Sequence, residues 1–153
     1  MKTKIEISKV SLQPATDADR EFAFQVLKAA FGKYVKEVYG WDEELQRQIH
    51  RQRFRPSSTW IIKYKDKEIG LLAFDRETDH IRVRQVFLLP EYQGWGIGVH
   101  LMKDILKESK QKGIPVKLQV LKVNNRAKVF YERIGFSVIG ETETHYKMEH
   151  IPN

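Results

Sequence analysis

The chain contains no cysteine in its 153 residues. A disulfide scaffold, a thiolate metal site and a cysteine nucleophile are therefore excluded. The same absence fits a reducing, cytoplasmic setting. Long hydrophobic runs are also missing. Nothing approaches the roughly 20 apolar residues needed to span a bilayer, so no membrane partner is expected. Met1-Lys2-Thr3-Lys4 leads into alternating sequence, not into the apolar core of a signal peptide. There is no internal repeat and no low-complexity linker. A serine hydrolase has little support, because the Gly-x-Ser-x-Gly elbow is absent. No metal site is expected either. His50, His80, His100, His145 and His150 form no close helical pair with a glutamate.

What is present suits one compact domain over residues 1–153. Hydrophobic residues make up 41% and charged residues 31%, a balance that supports a core and argues against broad disorder. The formal net charge is +7. Excess lysine keeps a small domain solvated, and the same field attracts anions such as a phosphorylated cofactor, an acidic substrate or nucleic acid.

The apolar pattern alternates between strand and helix periods. Ile5-Glu6-Ile7-Ser8 reads as an opening strand. Thr16 or Asp17 can cap a helix on which Phe22, Val26, Leu27, Ala30, Phe31, Tyr34 and Val38 recur, up to Gly40. Asp42 can cap a second helix to about Phe54, with Leu45, Ile49 and His50 on one face. Thr59–Tyr64 and Ile69–Phe74 form a hairpin pattern. His80–Leu88 is a longer strand that stops at Leu89-Pro90. A helix with Ile97, Leu101, Met102, Ile105 and Leu106 then leads through Gly113 to the strand Val116–Val120. A helix between two strands predicts a parallel pair with a right-handed crossover. Asn124 or Asn125 caps a short helix closed by Gly135, and the strands Phe136–Ile139 and Tyr146–Met148 follow. The order β-α-α-β-β-β-α-β-α-β-β is an α/β (α+β) mixed sheet with helices on its faces.

The most informative stretch is Leu89-Pro90-Glu91-Tyr92-Gln93-Gly94-Trp95-Gly96-Ile97-Gly98-Val99. It joins a strand to a helix. Helix N-termini offer free N–H groups and partial positive charge to phosphate. Gly94, Gly96 and Gly98 let the backbone bend toward an anion. A tight connection that binds nothing would use glycine in the same way. The turn lacks the Lys-Ser/Thr pair of a nucleotide P-loop and the full dinucleotide-binding spacing.

Gln93-Gly94-Trp95-Gly96-Ile97-Gly98 resembles the Gln/Arg-x-x-Gly-x-Gly/Ala signature of the GNAT N-acetyltransferase superfamily. Val86-Phe87-Leu88-Leu89-Pro90 resembles that family's acyl-binding strand. Asn124-Asn125-Arg126-Ala127-Lys128-Val129-Phe130-Tyr131-Glu132-Arg133-Ile134-Gly135-Phe136 resembles its second signature, Asn-x-x-Ala-x-x-x-Tyr-x-x-x-Gly-Phe. The resemblance covers roughly Trp60 to the C-terminus. It implies about seven strands and four helices, with a parallel strand pair splayed around acetyl-CoA. It implies that the amides of Gln93, Gly94, Trp95, Gly96, Ile97, Gly98 and Val99 hold the coenzyme A pyrophosphate. The strand edge at Val86, Phe87 and Leu88 would pair with the pantetheine arm. An N–H near Leu88 would polarise the thioester carbonyl. Asn124 and Ala127 would lie by the cofactor arm, and Tyr131 would be the general acid that protonates the leaving thiolate.

One position departs from the family pattern. Many members place a glutamate on the strand after the glycine helix, and here that position is Gln119. An amide cannot act as a base at neutral pH. His145 is the first substitute, because an imidazole titrates near neutrality. Glu37, Asp42 and Glu143 follow. Gln119 could orient a water or bind a substrate amide. The acceptor pocket in this family is commonly shaped by the first helices and the last hairpin. Tyr34, Trp41 and Asp42 are its candidates, with Asp42 placed to attract an ammonium group, although the core is the commoner fate of a residue such as Trp41. The run His50, Arg51, Arg53 and Arg55 is a solvated helix face or a site for an acidic group.

The expected activity is transfer of an acetyl group from acetyl-CoA to a primary amine, on a small molecule or a peptide, by direct attack in a ternary complex. A non-catalytic acyl-CoA-binding module of the same fold is the alternative. A nucleic-acid-binding domain is a second alternative, weakened because no repeated Arg-aromatic stripe accompanies the charge, and both alternatives rank below the enzyme. Family resemblance also makes a homodimer an expectation.

Overall fold

The computed structural model describes residues 4–153. Met1–Thr3, read above for a leader, lie outside them. The strands are β1 (Val10–Pro14), β2 (Thr59–Tyr64), β3 (Lys67–Arg76), β4 (Ile81–Leu88), β5 (Val116–Leu121), β6 (Ser137–Glu141) and β7 (His145–His150). The α-helices are α1 (Arg20–Tyr39), α2 (Glu43–Arg53), α3 (Ile97–Lys112) and α4 (Asn125–Arg133). They follow the β-α-α-β-β-β-α-β-α-β-β order of the sequence pattern. The seven strands form one mixed sheet in the order β1-β2-β3-β4-β5-β7-β6. The parallel pair is β4 and β5, registered at Ile81↔Val116 and Arg82↔Lys117. Among the described residues, no helix is long and apolar enough to cross a membrane.

The opening strand is displaced from its expected place. Ile7–Lys9 form a short 3-10 turn, and the strand begins at Val10. Val10–Pro14 pair antiparallel with Tyr64–Trp60 at one edge of the sheet. Four of the five residues are exposed. An edge strand with so little burial shows no apolar alternation, and its edge position also tolerates Pro14.

Contacts divide the chain into two compact units. The first takes the described residues up to Ala73 together with Gln85–Ile97. Thr16 and Asp19 form a reciprocal capping box on the 3-10 turn that precedes α1. Gly40 ends α1 at φ 77°, and its N–H bonds to the Lys36 carbonyl at 2.9 Å. Asp42 Oδ1 then accepts from the Leu45 N–H at 3.0 Å and starts α2. The buried positions of α1 are Ala23, Phe24, Val26, Gly32 and Val35, so the packed face is rotated from the one expected. Ala23 and Val26 meet Leu71 of β3, with Phe22 and Phe87 packed beside them. On α2, Leu45 is exposed, contrary to expectation, and His50 is the buried contact. Its ring lies 5.5 Å from Phe24 and 5.4 Å from Phe54, and Nε2 donates to the Arg20 carbonyl at 2.9 Å. Burial lowers the His50 pKa, which suits a neutral imidazole in that role.

The second unit takes Phe74–Arg84 and Gly98–Asn153. Its core includes Ile81, Met102, Val116 and Met148, all fully buried. Gly113, at φ 67°, ends α3. There the Ser109 hydroxyl donates to the Ile114 carbonyl, while the Ile114 N–H bonds back to the Ser109 carbonyl at 3.2 Å. β7 pairs with β5 along its whole length, from Val116↔His150 to Leu121↔His145. β6 covers the other side of β7 and forms the second edge of the sheet.

Gly70 of β3 has the tightest surroundings of any glycine in the first unit. A Cβ there would overlap the Phe87 carbonyl oxygen and lie 3.1 Å from Leu88 Cα. Both obstacles are backbone, so neither can rotate away. Gly70→Ala should cost about 1–3 kcal/mol, lowering the unfolding midpoint by ~3–10 °C in calorimetry. An unchanged midpoint would show that β4 yields freely at this point.

Candidate active site

The site begins with one peptide unit. No cis peptide bond occurs among the described residues, so the Phe87–Leu88 amide is trans, with its C=O and N–H pointing in opposite directions. The Phe87 carbonyl oxygen lies against Gly70. The Leu88 N–H therefore points away from Gly70. The next carbonyl, that of Leu88, accepts from Gln93 Nε2 at 2.9 Å. The Leu89 N–H is bound to the Ile69 carbonyl at 2.9 Å. The end of β4 is thus pinned by a neighbouring strand and by a side chain from the turn that follows. The sequence marked Gln93 as a backbone ligand, and its side-chain bond carried no signal in the pattern.

The turn itself is locally determined. Pro90–Tyr92 form a 3-10 turn, which fits the preset φ of proline at its first position. Tyr92 packs on Tyr64 at 6.2 Å. Gly94 and Gly96 then take φ 81° and 83°, a left-handed conformation that other residues enter only with strain. Apart from their own chain neighbours, no heavy atom lies within 4 Å of where a Cβ would stand on either glycine. Their conformation, not crowding, requires glycine, and the space beside them is open. Trp95 is partly buried between them, and Ile97 is buried as α3 begins. This open turn at a helix N-terminus fits an anionic phosphate group.

Gly98 is glycine for a different reason. A Cβ there would lie 3.1 Å from Phe130 Cζ, so α3 and α4 approach closely at this point in the second unit. Val99 follows, partly buried, in the first turn of α3. Asn124 caps α4 by accepting from the Ala127 N–H at 3.1 Å. Tyr131 is buried, with its ring 5.0 Å from Phe130 and 5.4 Å from Phe136 in edge contacts. Its carbonyl accepts from the Phe136 N–H at 3.0 Å where the helix ends, which fixes the backbone below the ring. Burial pushes the phenol pKa up, so Tyr131 stays protonated throughout the neutral range.

The acceptor candidates divide in the same way. In the first unit, Phe31 stacks on Phe87 at 5.2 Å, and Tyr34 lies 6.0 Å from Phe31. This aromatic contact links α1 to the end of β4. Phe31 was legible only as part of a helical stripe. A Cβ on Gly32 of α1 would stand 3.5 Å from the Trp41 ring, whose Nε1 donates to Glu43 at 2.9 Å. Asp42 is the exposed cap of α2. In the second unit, Gln119 is exposed on β5, opposite Lys147. His145 is partly buried at the start of β7, with Nδ1 2.8 Å from Thr144 Oγ1. Burial lowers its pKa.

A [ribosomal protein bS18]-alanine N-acetyltransferase from Haemophilus influenzae is 28% identical over 78 residues, which cover 51% of this chain and 53% of that protein. The match thus spans about half of each. The fold matches that of a PaiA N-acetyltransferase from Thermoplasma acidophilum, solved in complex with coenzyme A. The TM-score is 0.76 and the identity 19%, over 93% of this chain and 98% of the other. It also matches Naa50 from Arabidopsis thaliana, solved with the bisubstrate analogue CoA-Ac-MVNAL. There the TM-score is 0.66 and the identity 20%, over 92% of this chain and 97% of the other. The model of the acetyltransferase (GNAT) family matches residues 21–136, which take in the glycine turn, Asn124 and Tyr131, and the chain belongs to that family.

Proposed function

We propose that this protein is an N-acetyltransferase that moves the acetyl group of acetyl-CoA to a primary amine in a ternary complex. The observation that carries the reading is the orientation of the Phe87–Leu88 peptide, which turns the Leu88 N–H away from Gly70. That N–H is the donor for the developing oxyanion. The amides from Gln93 to Val99 bind the pyrophosphate, and the edge at Val86–Leu88 binds the pantetheine arm. In the reaction the amine nitrogen forms a bond to the acetyl carbon, and the carbon–sulfur bond breaks. Tyr131 gives its proton to the departing sulfur. The nitrogen loses a proton to a base. Asn124 and Ala127 line the cofactor arm.

A peptide α-amine is the acceptor class that this site supports best. Gln119 cannot remove a proton, so an amine that is already partly neutral has the advantage. An α-amino group titrates at about 8 and a lysine amine at about 10.4. The two relatives named for alanine N-acetylation and for a CoA-peptide analogue point the same way. Phe31, Tyr34 and Phe87 supply an apolar wall for the residue behind that amine. Trp41 and Asp42 shape the region beside it through α2. His145 is the proposed base, with Nδ1–H donating to Thr144 and the Nε2 lone pair left to accept. Gln119 binds an acceptor amide or a water.

The exposed amide at Gln119 also favours a second reading, a module of this fold that binds acyl-CoA without turnover. Tyr131→Phe separates the two. It should lower kcat by about 10²–10⁴ on a peptide substrate while leaving coenzyme A affinity within about twofold. Thiol release measured over a panel of free N-terminal peptides is the assay. A wild-type protein that binds coenzyme A and acetylates none of the panel would establish the module instead.

His145 gives the reaction an acid limb. Its lowered pKa keeps it able to accept a proton down to below its ordinary value of about 6.5. Activity should therefore be retained from neutral pH down to that point and fall as acid protonates the ring. His145→Gln should lower kcat/KM by roughly 10²-fold and flatten that limb in a pH–rate profile. A variant that keeps the wild-type limb and rate would assign the base elsewhere. Tyr131, with its raised pKa, should contribute no alkaline limb below about pH 10.

A further inference from the structure

Within the first unit, a line of ring contacts runs from the end of β4 to an exposed cation. Phe87 stacks on Phe31 of α1 at 5.2 Å, and Phe31 lies 6.0 Å from Tyr34. Lys33 Nζ then lies 4.9 Å from the centre of the Tyr34 ring. The three rings are partly buried, and Lys33 is exposed. The wall is therefore apolar beside β4 and positively charged at its far end.

The lysines of α1 differ in what holds them. Lys28 Nζ is bound to Glu43 at 2.9 Å. Lys33 and Lys36, three residues apart, are neighbours on the helix surface. Among the described residues, neither forms an ion pair. Glu37, the carboxylate nearest to them in the chain, is exposed and bridges neither. A tyrosine face attracts an ammonium but offers it no carboxylate, so a negative group from outside is the stronger partner. The distances also set a reach. Three steps of 4.9–6.0 Å place Lys33 Nζ within about five extended residues of Phe87, at about 3.4 Å per residue. A peptide with its first side chain against the rings thus brings the next few toward Lys33 and Lys36.

We infer that the acceptor is an acidic peptide: Lys33, with Lys36 beside it, binds carboxylates that follow the N-terminal residue. The inference rests on the acetyl-transfer reading above and adds the charge of its substrate. Steady-state thiol release on three peptides tests it. Each begins with alanine, continues with three glutamates, three glutamines or three arginines, and ends in a common neutral tail without lysine. None of them carries a second amine. For the wild type, kcat/KM should be about threefold to tenfold higher for the glutamate peptide than for the glutamine one, as two exposed ion pairs allow. The arginine peptide should fall below both. The difference should lie in KM, with kcat alike, because the contact is made equally before and during the reaction. Added salt should shrink the ratio. Lys33→Glu should reverse the order of the three peptides. Because the readout is a ratio between peptides on one protein, a general loss of activity does not imitate it. If the wild type uses the three equally, or Lys33→Glu keeps the wild-type ratio, the inference fails while the acetyl-transfer reading stands. If the wild type acetylates no peptide at all, the acetyl-transfer reading fails and takes the inference with it.

Discussion

The peptide unit between Phe87 and Leu88 is held on both sides, and the proposed chemistry is organised around it. Its carbonyl rests on a glycine that leaves no room for a side chain. The following carbonyl is occupied by Gln93, and the following N–H by Ile69. A trans amide cannot turn one end without the other. Pinning the oxygen over Gly70 therefore aims the Leu88 N–H. A donor fixed in this way costs no reorganisation when charge develops on a substrate oxygen, which is the main electrostatic advantage of such a group.

The three glycines of the turn do different work. Gly94 and Gly96 are needed for positive φ and stand in open space, so they shape a backbone that an anion can approach. Gly98 lets Phe130 come close and so sets how α4 meets α3. The second signature is built on that contact. Asn124 starts α4, Phe130 packs it, and Tyr131 is held between Phe130 and Phe136. Burial raises the phenol pKa and lowers that of His145. These shifts favour the neutral forms of both, one able to give a proton and the other able to take one.

Much of the fold was legible because its elements end in local chemistry. Gly40, Asp42, Gly113 and Asn124 mark helix boundaries that side chains and left-handed glycines enforce within a few residues. β2 is legible from end to end because its burial is set by two neighbouring strands. β1 was misplaced because an exposed edge strand is defined by hydrogen bonds to a partner distant in sequence. The packed face of α1 was rotated for a related reason. Gly32 is apolar by absence, and its burial comes from the Trp41 ring laid over it.

The sequence by itself determined the order of elements, the glycine turn and the two family signatures, because each depends on residues close together in the chain. It also determined that Gln119 carries no base, since that follows from the amide alone. Tertiary structure decided the rest. It alone sets the direction of the Leu88 N–H, the stacking of Phe31 on Phe87 and the approach of Phe130 to Gly98. Each of these depends on contacts between residues far apart in the chain, and no local pattern encodes the direction in which a peptide plane or a side chain finally points.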